Sequence, residues 1–177
     1  MAAPRQMTAN TLNALKGWPQ PAAVDFHSEF AETVVGPVLP GSVVHLNPAG
    51  KYVLGVGNKR VMPLFLFSGS EDPDVRNPSG NPATEKGVWV PIAPTGQAMA
   101  LVAVGAYELV STAFVPGSNY LPNAPLTSDE TGPNAGKLRV GNLYTNMIVG
   151  FVSRGIVDNG YGHDAVAFWP CPVFPTS

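Results

Sequence analysis

The chain has 177 residues, of which 45% are hydrophobic and 12% are charged, and its formal net charge is −2. The charged share is about half of the roughly 25% that is usual for soluble domains, so part of the surface is expected to be covered by other molecules. The Lys and Arg residues form no cluster that could neutralise a phosphate backbone, which argues against a nucleic-acid partner, and no uninterrupted apolar stretch reaches the length of a membrane span.

The cysteine content and the first residues indicate the compartment. Cys171 is the single cysteine of the chain, so an intrachain disulfide is excluded. The first residues lack the apolar core of a secretory signal peptide. We therefore expect the protein to be made and to mature in the cytosol.

The first 33 residues are predicted to form a polar, irregular N-terminal arm. Residues 8–16 are compatible with one or two helical turns. Trp18, Phe26 and Phe30 then follow, separated by prolines and polar residues. This spacing favours extended docking of single aromatic side chains on a neighbouring subunit, and the alternative is an ordinary segment packed on its own domain. If the arm docks on a neighbour, removing residues 1–20 should leave a folded protein that no longer binds its partner.

From residue 34 onward, short apolar or alternating segments bounded by Gly, Pro and Asn predict a series of strands. The predicted strands are 42–46, 51–56, 61–67 (beginning after Pro63 or lying at an edge), 88–92, 99–104, 106–115, 138–140, 146–157 and 165–169. The pair at 99–115 is expected to be the centre of a sheet, although a helix is the alternative for so alanine-rich a run. Asn47–Gly50 and Asn159–Gly160 are predicted turns.

These segments predict the fold class and the domain organisation. About eight to ten short strands in one chain indicate an all-β, single-domain sandwich or barrel of antiparallel strands with long polar loops and extended terminal arms. The long loops are predicted at 68–87 and 117–136. The expected parts are the arm 1–33, a β-domain 34–169 and an extended proline-rich tail 170–177. The predicted core residues are Val102, Val104, Leu109, Phe151, Val166 and Phe168.

The histidines give no indication of a metal site. His27 lies in the predicted arm, His45 in a strand and His163 in a turn. None of them has a second His or Cys at a spacing that zinc sites use. We expect His45 to lie on the solvent face of its strand.

The acidic residues and the cysteine likewise give no clear indication of a metal site or a catalytic group. Asp72 and Asp74 resemble part of a calcium loop, but the register and the closing Glu are missing. Asp158 and Asp164 flank a glycine-rich turn and have the same weak interpretation. Cys171 stands between two prolines with no base nearby in sequence, which favours a buried or incidental thiol. The sequence predicts no catalytic residue, no metal and no cofactor, and hence no enzyme.

Five segments are similar to the small head proteins of tailed bacteriophages. They are the runs at 41–50, 62–67 with 72–75, 103–109, 148–155 and 168–170. The chain resembles the capsid decoration, or cement, proteins that are encoded beside the major capsid protein, over roughly residues 34–170. The resemblance implies a β-rich protein on the outer surface of the capsid, commonly a trimer at threefold and quasi-threefold positions. Its motifs are strand and turn sequences, so it implies no catalytic residue.

The expected function is therefore structural. The protein would bind the outer surface of the expanded capsid, made in the host cytoplasm, and would bridge major capsid protein subunits as a homotrimer. The candidate contact residues are Trp18, Phe26, Phe30, Tyr120 and Phe174. Two alternatives remain open: a β-sandwich module that binds host-surface glycans through Trp89, Tyr120 or Tyr161, and a low-copy tail or head-completion component.

Overall fold

The computed structural model describes residues 13–16, 24–35, 38–39, 41–66, 97–102, 108–158 and 164–176. In these residues the chain forms eleven strands and no helix. The strands are β1 (Asn13–Lys16), β2 (Val24–Glu29), β3 (Val43–Leu46), β4 (Tyr52–Leu54), β5 (Leu64–Leu66), β6 (Gln97–Val102), β7 (Glu108–Ser111), β8 (Pro125–Ser128), β9 (Leu138–Val140), β10 (Ile148–Asp158) and β11 (Asp164–Val173).

The strands form two sheets, and their ladders are antiparallel. The six-stranded sheet has the order β1-β7-β11-β10-β8-β9, and the five-stranded sheet has the order β2-β6-β5-β3-β4. The predicted all-β class is confirmed. Within the part of the chain that the structure describes, no helix has the length and apolar character that a membrane crossing needs.

The main core lies between the two sheets. Side chains of the five-stranded sheet, such as Val43 and Phe65, pack against Leu109, Val166 and Phe168 of the six-stranded sheet. The rings of Phe65 and Phe168 have their centroids 5.4 Å apart. Alternate residues of a strand point to opposite faces, so this contact fixes which face of each strand is buried.

A second core lies on the other face of the five-stranded sheet. Val44 and Leu66 point away from the main core, and Phe30, Val34 and Val38 pack over them. Strands β3 and β5 are therefore buried on both faces, which explains why their residues are almost continuously apolar. The described residues that follow β2 supply this cover.

One outer strand of each sheet forms an isolated parallel bridge with a segment from the far side of the same sheet. Phe30, which directly follows β2, forms a parallel bridge with Tyr52 of β4 at the other side of the five-stranded sheet. Phe114, shortly after β7, forms the same kind of bridge with Leu138 of β9. The backbone N–H of Val115 donates to the Leu138 carbonyl at 2.9 Å. These bridges occupy backbone groups of β4 and β9 that would otherwise be open sheet edges.

The two sheets are joined where β4 ends. The N–H of Gly55 donates to the Val43 carbonyl at 2.8 Å, and the N–H of Gly57 donates to the Ser128 carbonyl of β8 at 2.9 Å. Gly55 has a φ of +68°, and a Cβ at this position would collide with the carbonyl of Asp129. The close approach of the two backbones therefore requires glycine.

The longest hairpin, β10–β11, contains a bulge. Val152 is paired with Phe168 and Gly155 with Ala167, so Ser153 and Arg154 are two extra residues of β10. Gly155 has a φ of +97°, in the left-handed region that favours glycine. The bulge turns Arg154 toward β7, where it meets Glu108.

Several local predictions are confirmed. The hairpin of β3 and β4 turns at residues 47–50, where the side-chain oxygen of Asn47 accepts from the N–H groups of Ala49 and Lys51 at 2.9 and 3.0 Å. Strand β5 begins directly after Pro63. Leu109, Val166 and Phe168 are fully buried.

Other predictions about local structure are wrong. Residues 13–16 are strand β1 and not a helical turn. The segment 117–136, expected to be a loop, contains β8. His45 is buried and not on the solvent face, because its Nδ1 lies 2.7 Å from the Gly55 carbonyl. Phe151 is only half-buried, because it faces away from the main core opposite Trp169.

The structure also places the described parts of the predicted arm and tail. Strand β1 pairs with β7 and β2 pairs with β6, so both are built into the sheets of the domain. Strand β11 continues to Val173, and hence the first residues of the expected tail are paired with β10. The predicted strand 88–92, the predicted loop 68–87, the Asn159–Gly160 turn and Val104 lie outside the described residues, as does the side chain of Val102.

Candidate functional site

The described residues contain no group of three or more His, Cys, Asp or Glu side chains that could hold a metal ion. Cys171 is exposed on β11. The side chains of Asp72, Asp74, His27 and His163, the possible ligands in the sequence, lie outside the described residues. Exposed surfaces that could bind other proteins are the remaining candidates for a functional site in this part of the chain.

The predicted contact residues differ in whether their side chains are described and whether they are exposed. Trp18 and the side chain of Phe26 lie outside the described part of the chain. Phe30 is buried at 4% exposure and packs edge-to-face on Tyr52, with ring centroids 5.8 Å apart. Phe174 is 48% exposed. Of these residues, Phe174 is the one whose described side chain is available to a partner.

Tyr120 is turned into its own domain. It is 5% exposed, and its hydroxyl lies 2.8 Å from the Val115 carbonyl and 2.9 Å from the Leu138 carbonyl. These two hydrogen bonds therefore stabilise the bridge between β9 and the segment after β7. This position supports neither a capsid contact nor a glycan contact for Tyr120, and Trp89 and Tyr161 lie outside the described residues.

Burial changes the acidity of two tyrosines. Desolvation raises the pKa of Tyr120 above its ordinary value, opposed by hydrogen bonds with the Ser118 side chain and the Val115 backbone and by the charge of Arg139. Desolvation also raises the pKa of Tyr52, opposed by a hydrogen bond with the Ala100 backbone. Both hydroxyls are held in the neutral form.

A buried ion pair joins the bulge of β10 to β7. Arg154 Nη2 lies 2.6 Å from Oε2 of Glu108, whose side chain is only 1% exposed, while half of the Arg154 side chain is exposed. A carboxylate so deeply buried needs a cation close to it. Arg154 supplies this cation, so the pair stabilises the contact between the bulge of β10 and β7.

Large apolar side chains of the described residues are exposed in two groups and at two separate positions. The exposed large apolar residues of the described part are Val35, Met62, Leu121, Leu143, Tyr144, Ile156, Trp169 and Phe174. Scattered single residues of this kind are normal, but groups of them mark interaction surfaces. Six of the eight fall at the two ends of the β10–β11 hairpin.

Three segments meet at the end where β10 begins: the β4–β5 loop, the β9–β10 loop and the residues after β11. The N–H of Met147 donates to the Gly57 carbonyl at 3.0 Å, which ties the first two segments together. Ile148 is paired with Val173, which brings the third beside them. The apolar side chains on these segments are therefore held close to one another by backbone contacts.

The β9–β10 loop is a rigid turn with an apolar tip. The N–H of Asn142 donates to Oδ1 of Asn146, and the N–H of Asn146 donates to the Asn142 carbonyl, both at 2.9 Å. Oδ1 of Asn142 accepts from the N–H of Tyr144, also at 2.9 Å. Leu143 and Tyr144 are exposed at this tip, at 42% and 69%. Little conformational freedom remains to be lost when a partner covers them.

The residues after β11 are held by Arg60. Its Nη2 donates to the carbonyl of Pro175 at 3.1 Å, and Pro175 is buried, so that Phe174 is displayed at the surface beside the β4–β5 loop with Met62. Arg60 makes no ion pair with a carboxylate of the described residues. We name this surface the basic end. It consists of Arg60, Met62, Leu143, Tyr144 and Phe174.

A second apolar group lies at the opposite end of the hairpin. A Cβ on Gly155 would lie 3.0 Å from the Tyr120 carbonyl, so the loop that carries Leu121 packs against the strand that carries Ile156. Leu121 is 58% exposed and Ile156 is 45% exposed.

Two carboxylates border this second group. Asp158 is paired with Asp164 across the hairpin, and both residues are exposed. Asp158 lies two residues beyond Ile156 and therefore shares its face of β10. We name this surface the acidic end. It consists of Leu121, Ile156, Asp158 and Asp164.

Sequence reasoning missed most of these two surfaces. Leu143 and Tyr144 between two asparagines were a detectable signal, because Asn favours turns and apolar residues at a turn are exposed. Arg60 had no signal, because its role depends on a contact with Pro175, 115 residues away. Comparison of the chain with protein-family models, curated proteins and solved structures gives no match.

Proposed function

We propose that the protein is a structural component of a tailed-phage virion that binds the outer surface of the expanded capsid. There it stabilises the shell by bridging major capsid protein subunits, as a homotrimer at threefold and quasi-threefold positions. The mechanism is mass action, because a protein that binds the expanded shell and not its alternatives stabilises that shell by the free energy of binding.

The observation that supports this proposal best is the pair of rigid apolar ends on a chain with 12% charged residues. Met62, Leu143, Tyr144 and Phe174 at one end, and Leu121 and Ile156 at the other, are exposed on segments fixed by backbone contacts. Such surfaces suit a protein whose role is to be covered by neighbours on several sides. The sequence resemblance to decoration proteins suggests which neighbours these are.

The glycan-binding alternative has one observation in its favour. Trp169 is 37% exposed on the outer face of the six-stranded sheet, opposite the half-buried Phe151. A glycan site of this type needs aromatic rings that line up on one sheet face. A glycan array probed with the protein and with its Trp169→Ala variant tests this function. Binding that the variant loses would make glycan recognition the better account.

The decisive test of the capsid proposal is the abundance and location of the protein in purified virions of the phage that encodes it. A band near parity with the major capsid protein supports the proposal, a trace amount indicates a tail or head-completion component, and absence overturns both. Co-sedimentation of the purified protein with expanded and with unexpanded shells then tests the specificity. Equal binding to both shells would contradict stabilisation of the expanded form.

A further inference from the structure

We propose that the basic end is the surface that binds the major capsid protein, and that its occupant is a segment of that protein in which a carboxylate stands beside large apolar side chains. Arg60 binds the carboxylate, and the apolar side chains of the basic end cover the rest of the segment. This inference rests on the proposed function. It adds which end of the molecule faces the shell and which chemistry that end recognises.

The first argument is the charge of Arg60. Within the described residues the other two arginines, Arg139 and Arg154, each pair with a carboxylate of this chain at 2.6 Å. Arg60 is exposed and donates from Nη2 to the uncharged carbonyl of Pro175 at 3.1 Å instead. A guanidinium has five N–H donors in a planar fork, so Arg60 retains enough of them for two parallel hydrogen bonds to one carboxylate.

The second argument concerns the source of this carboxylate. Carboxylates of this chain are already engaged in four ion pairs, those of Glu29, Glu108, Asp129 and Glu130. A nucleic-acid phosphate is a poor alternative, because a phosphate backbone is bound by several cations together. Lys59, the neighbouring cation, is paired with Glu130 at 2.7 Å. One unmatched guanidinium therefore suits one carboxylate of another protein.

The third argument is the apolar surface around this cation. Met62 lies two residues beyond Arg60, Phe174 directly precedes the residue that Arg60 holds, and both side chains are exposed. Tyr144 is the most exposed side chain of the basic end. Aromatic rings and arginine are the side chains that contribute most to binding at protein interfaces. Apolar cover also excludes water from the ion pair, which strengthens it.

The fourth argument is rigidity. The hydrogen bond from Met147 to Gly57 and the pairing of Ile148 with Val173 fix the three segments of the basic end to one another. Little conformational entropy is therefore lost when a partner binds. The acidic end lies at the far end of β10, whose 11 residues span about 33 Å, so a partner on the basic end does not cover it.

The first experiment titrates purified expanded shells that lack the protein with full-chain variants. Arg60→Glu should weaken binding by about 100-fold or more, because the partner's carboxylate is repelled and left unpaired. Arg60→Gln, which retains a donor for the Pro175 carbonyl, should weaken it less. Tyr144→Ala, which leaves Arg60 in place, should weaken it by about 30-fold.

The control variant is Val35→Asp, because Val35 is 89% exposed and belongs to neither end. It should bind shells like the wild-type protein. Circular dichroism and thermal melts should show that all variants retain their strands and their stability, so that a loss of binding reports the surface and not unfolding.

The second experiment identifies the carboxylate. Arg60→Lys places a primary amine at the same position, and a carbodiimide joins an amine to an adjacent carboxylate as an amide. Mass spectrometry of decorated shells should find a cross-link from this lysine to an acidic residue of the major capsid protein with apolar neighbours, absent with the wild-type protein. Reversing the charge of that acidic residue in the shells should restore the binding of Arg60→Glu.

The outcomes separate this inference from the proposed function. Wild-type protein that binds shells, with Arg60→Glu binding equally well, would overturn the inference and leave the function standing. Wild-type protein that does not bind shells would overturn the function and the inference with it. Arg60→Glu that keeps its affinity for shells but loses self-association in sedimentation velocity would make the basic end a contact between copies, which also overturns the inference.

Discussion

Arg154 Nη2 lies 2.6 Å from Oε2 of Glu108, and this contact joins two strands that are not neighbours in the sheet. Strand β11 lies between them, so the arginine reaches across it from the bulge of β10. The two extra residues of the bulge and the buried carboxylate therefore depend on each other.

The first prediction follows from this pair. Arg154→Met should lower the free energy of unfolding by about 2–3 kcal/mol, below the roughly 3–5 kcal/mol of a fully buried pair, because half of the arginine is in solvent. Adding Glu108→Gln to this variant should recover part of the loss, since the buried charge is then removed. Urea unfolding of the single and double variants measures both effects. A double variant less stable than Arg154→Met would contradict this account.

The second prediction concerns Tyr120 at alkaline pH. Tyr120→Phe should cost about 1–2 kcal/mol, because the carbonyls of Val115 and Leu138 lose a buried donor. The raised pKa of Tyr120 means that the folded protein keeps a proton that the unfolded chain releases near pH 10. Stability should therefore fall as the pH rises from about 10 through the pKa of the folded state.

The phenylalanine variant should lose this stability less steeply. Tyr52, whose pKa is also raised, remains in the variant and should leave a residual pH dependence. Thermal melts at a series of pH values from 8 upward compare the two proteins. Equal slopes would show that the Tyr120 hydroxyl does not titrate differently in the folded and unfolded states.

The third prediction tests the junction between the sheets. Gly55→Ala should destabilise the protein by about 3 kcal/mol or more, because the left-handed conformation and the collision with the Asp129 carbonyl add together. Gly50→Ala is the matched control, since Gly50 has a similar φ of +74° and no atom within 4 Å of an added Cβ. The control should lose only about 1–2 kcal/mol of stability, because it has the conformational strain without the collision. Comparable losses in both variants would mean that the sheets are not in close contact at Gly55.

The fourth prediction compares two phenylalanines of the long hairpin. Phe168→Ala should cost roughly 3–5 kcal/mol, because the ring is fully buried against Phe65. Phe151→Ala should cost about 1–2 kcal/mol, because its half-buried ring leaves no closed cavity. Chemical denaturation of both variants decides this. The reverse order of stability would place β10 with its other face to the core.

The two phenylalanines also show what the sequence could predict. Alternation of apolar residues correctly placed a strand at Phe151, since the period of two is a local property of the chain. It did not decide which face is buried, because both faces of this segment are apolar. The register against β11, which places Phe151 opposite Trp169, is a long-range feature.

Other errors have the same origin. His45 looked like a solvent-facing residue, and it is buried because the Gly55 carbonyl, ten residues away, lies 2.7 Å from its Nδ1. Strand β8 begins at Pro125 inside a polar segment and exists because Leu126 pairs with Gly150 of β10. The short segment 13–16 is a strand through its ladder to β7. Tertiary pairing overrides local propensity in all three cases.

The position of β11 has a consequence for the order of folding. This strand follows the ten other strands of the described residues, yet it lies inside the six-stranded sheet, with β7 on one side and β10 on the other. During synthesis the partners of β11 are therefore present before it is, and β7 has no inner neighbour until residues 164–173 leave the ribosome. The hairpin with β10 is local and can form quickly, whereas the ladder to β7 closes a span of more than fifty residues and is slower. The ladder between β7 and β11 is consequently a late step in the assembly of this sheet, and β7 keeps an unpaired inner edge until that ladder forms.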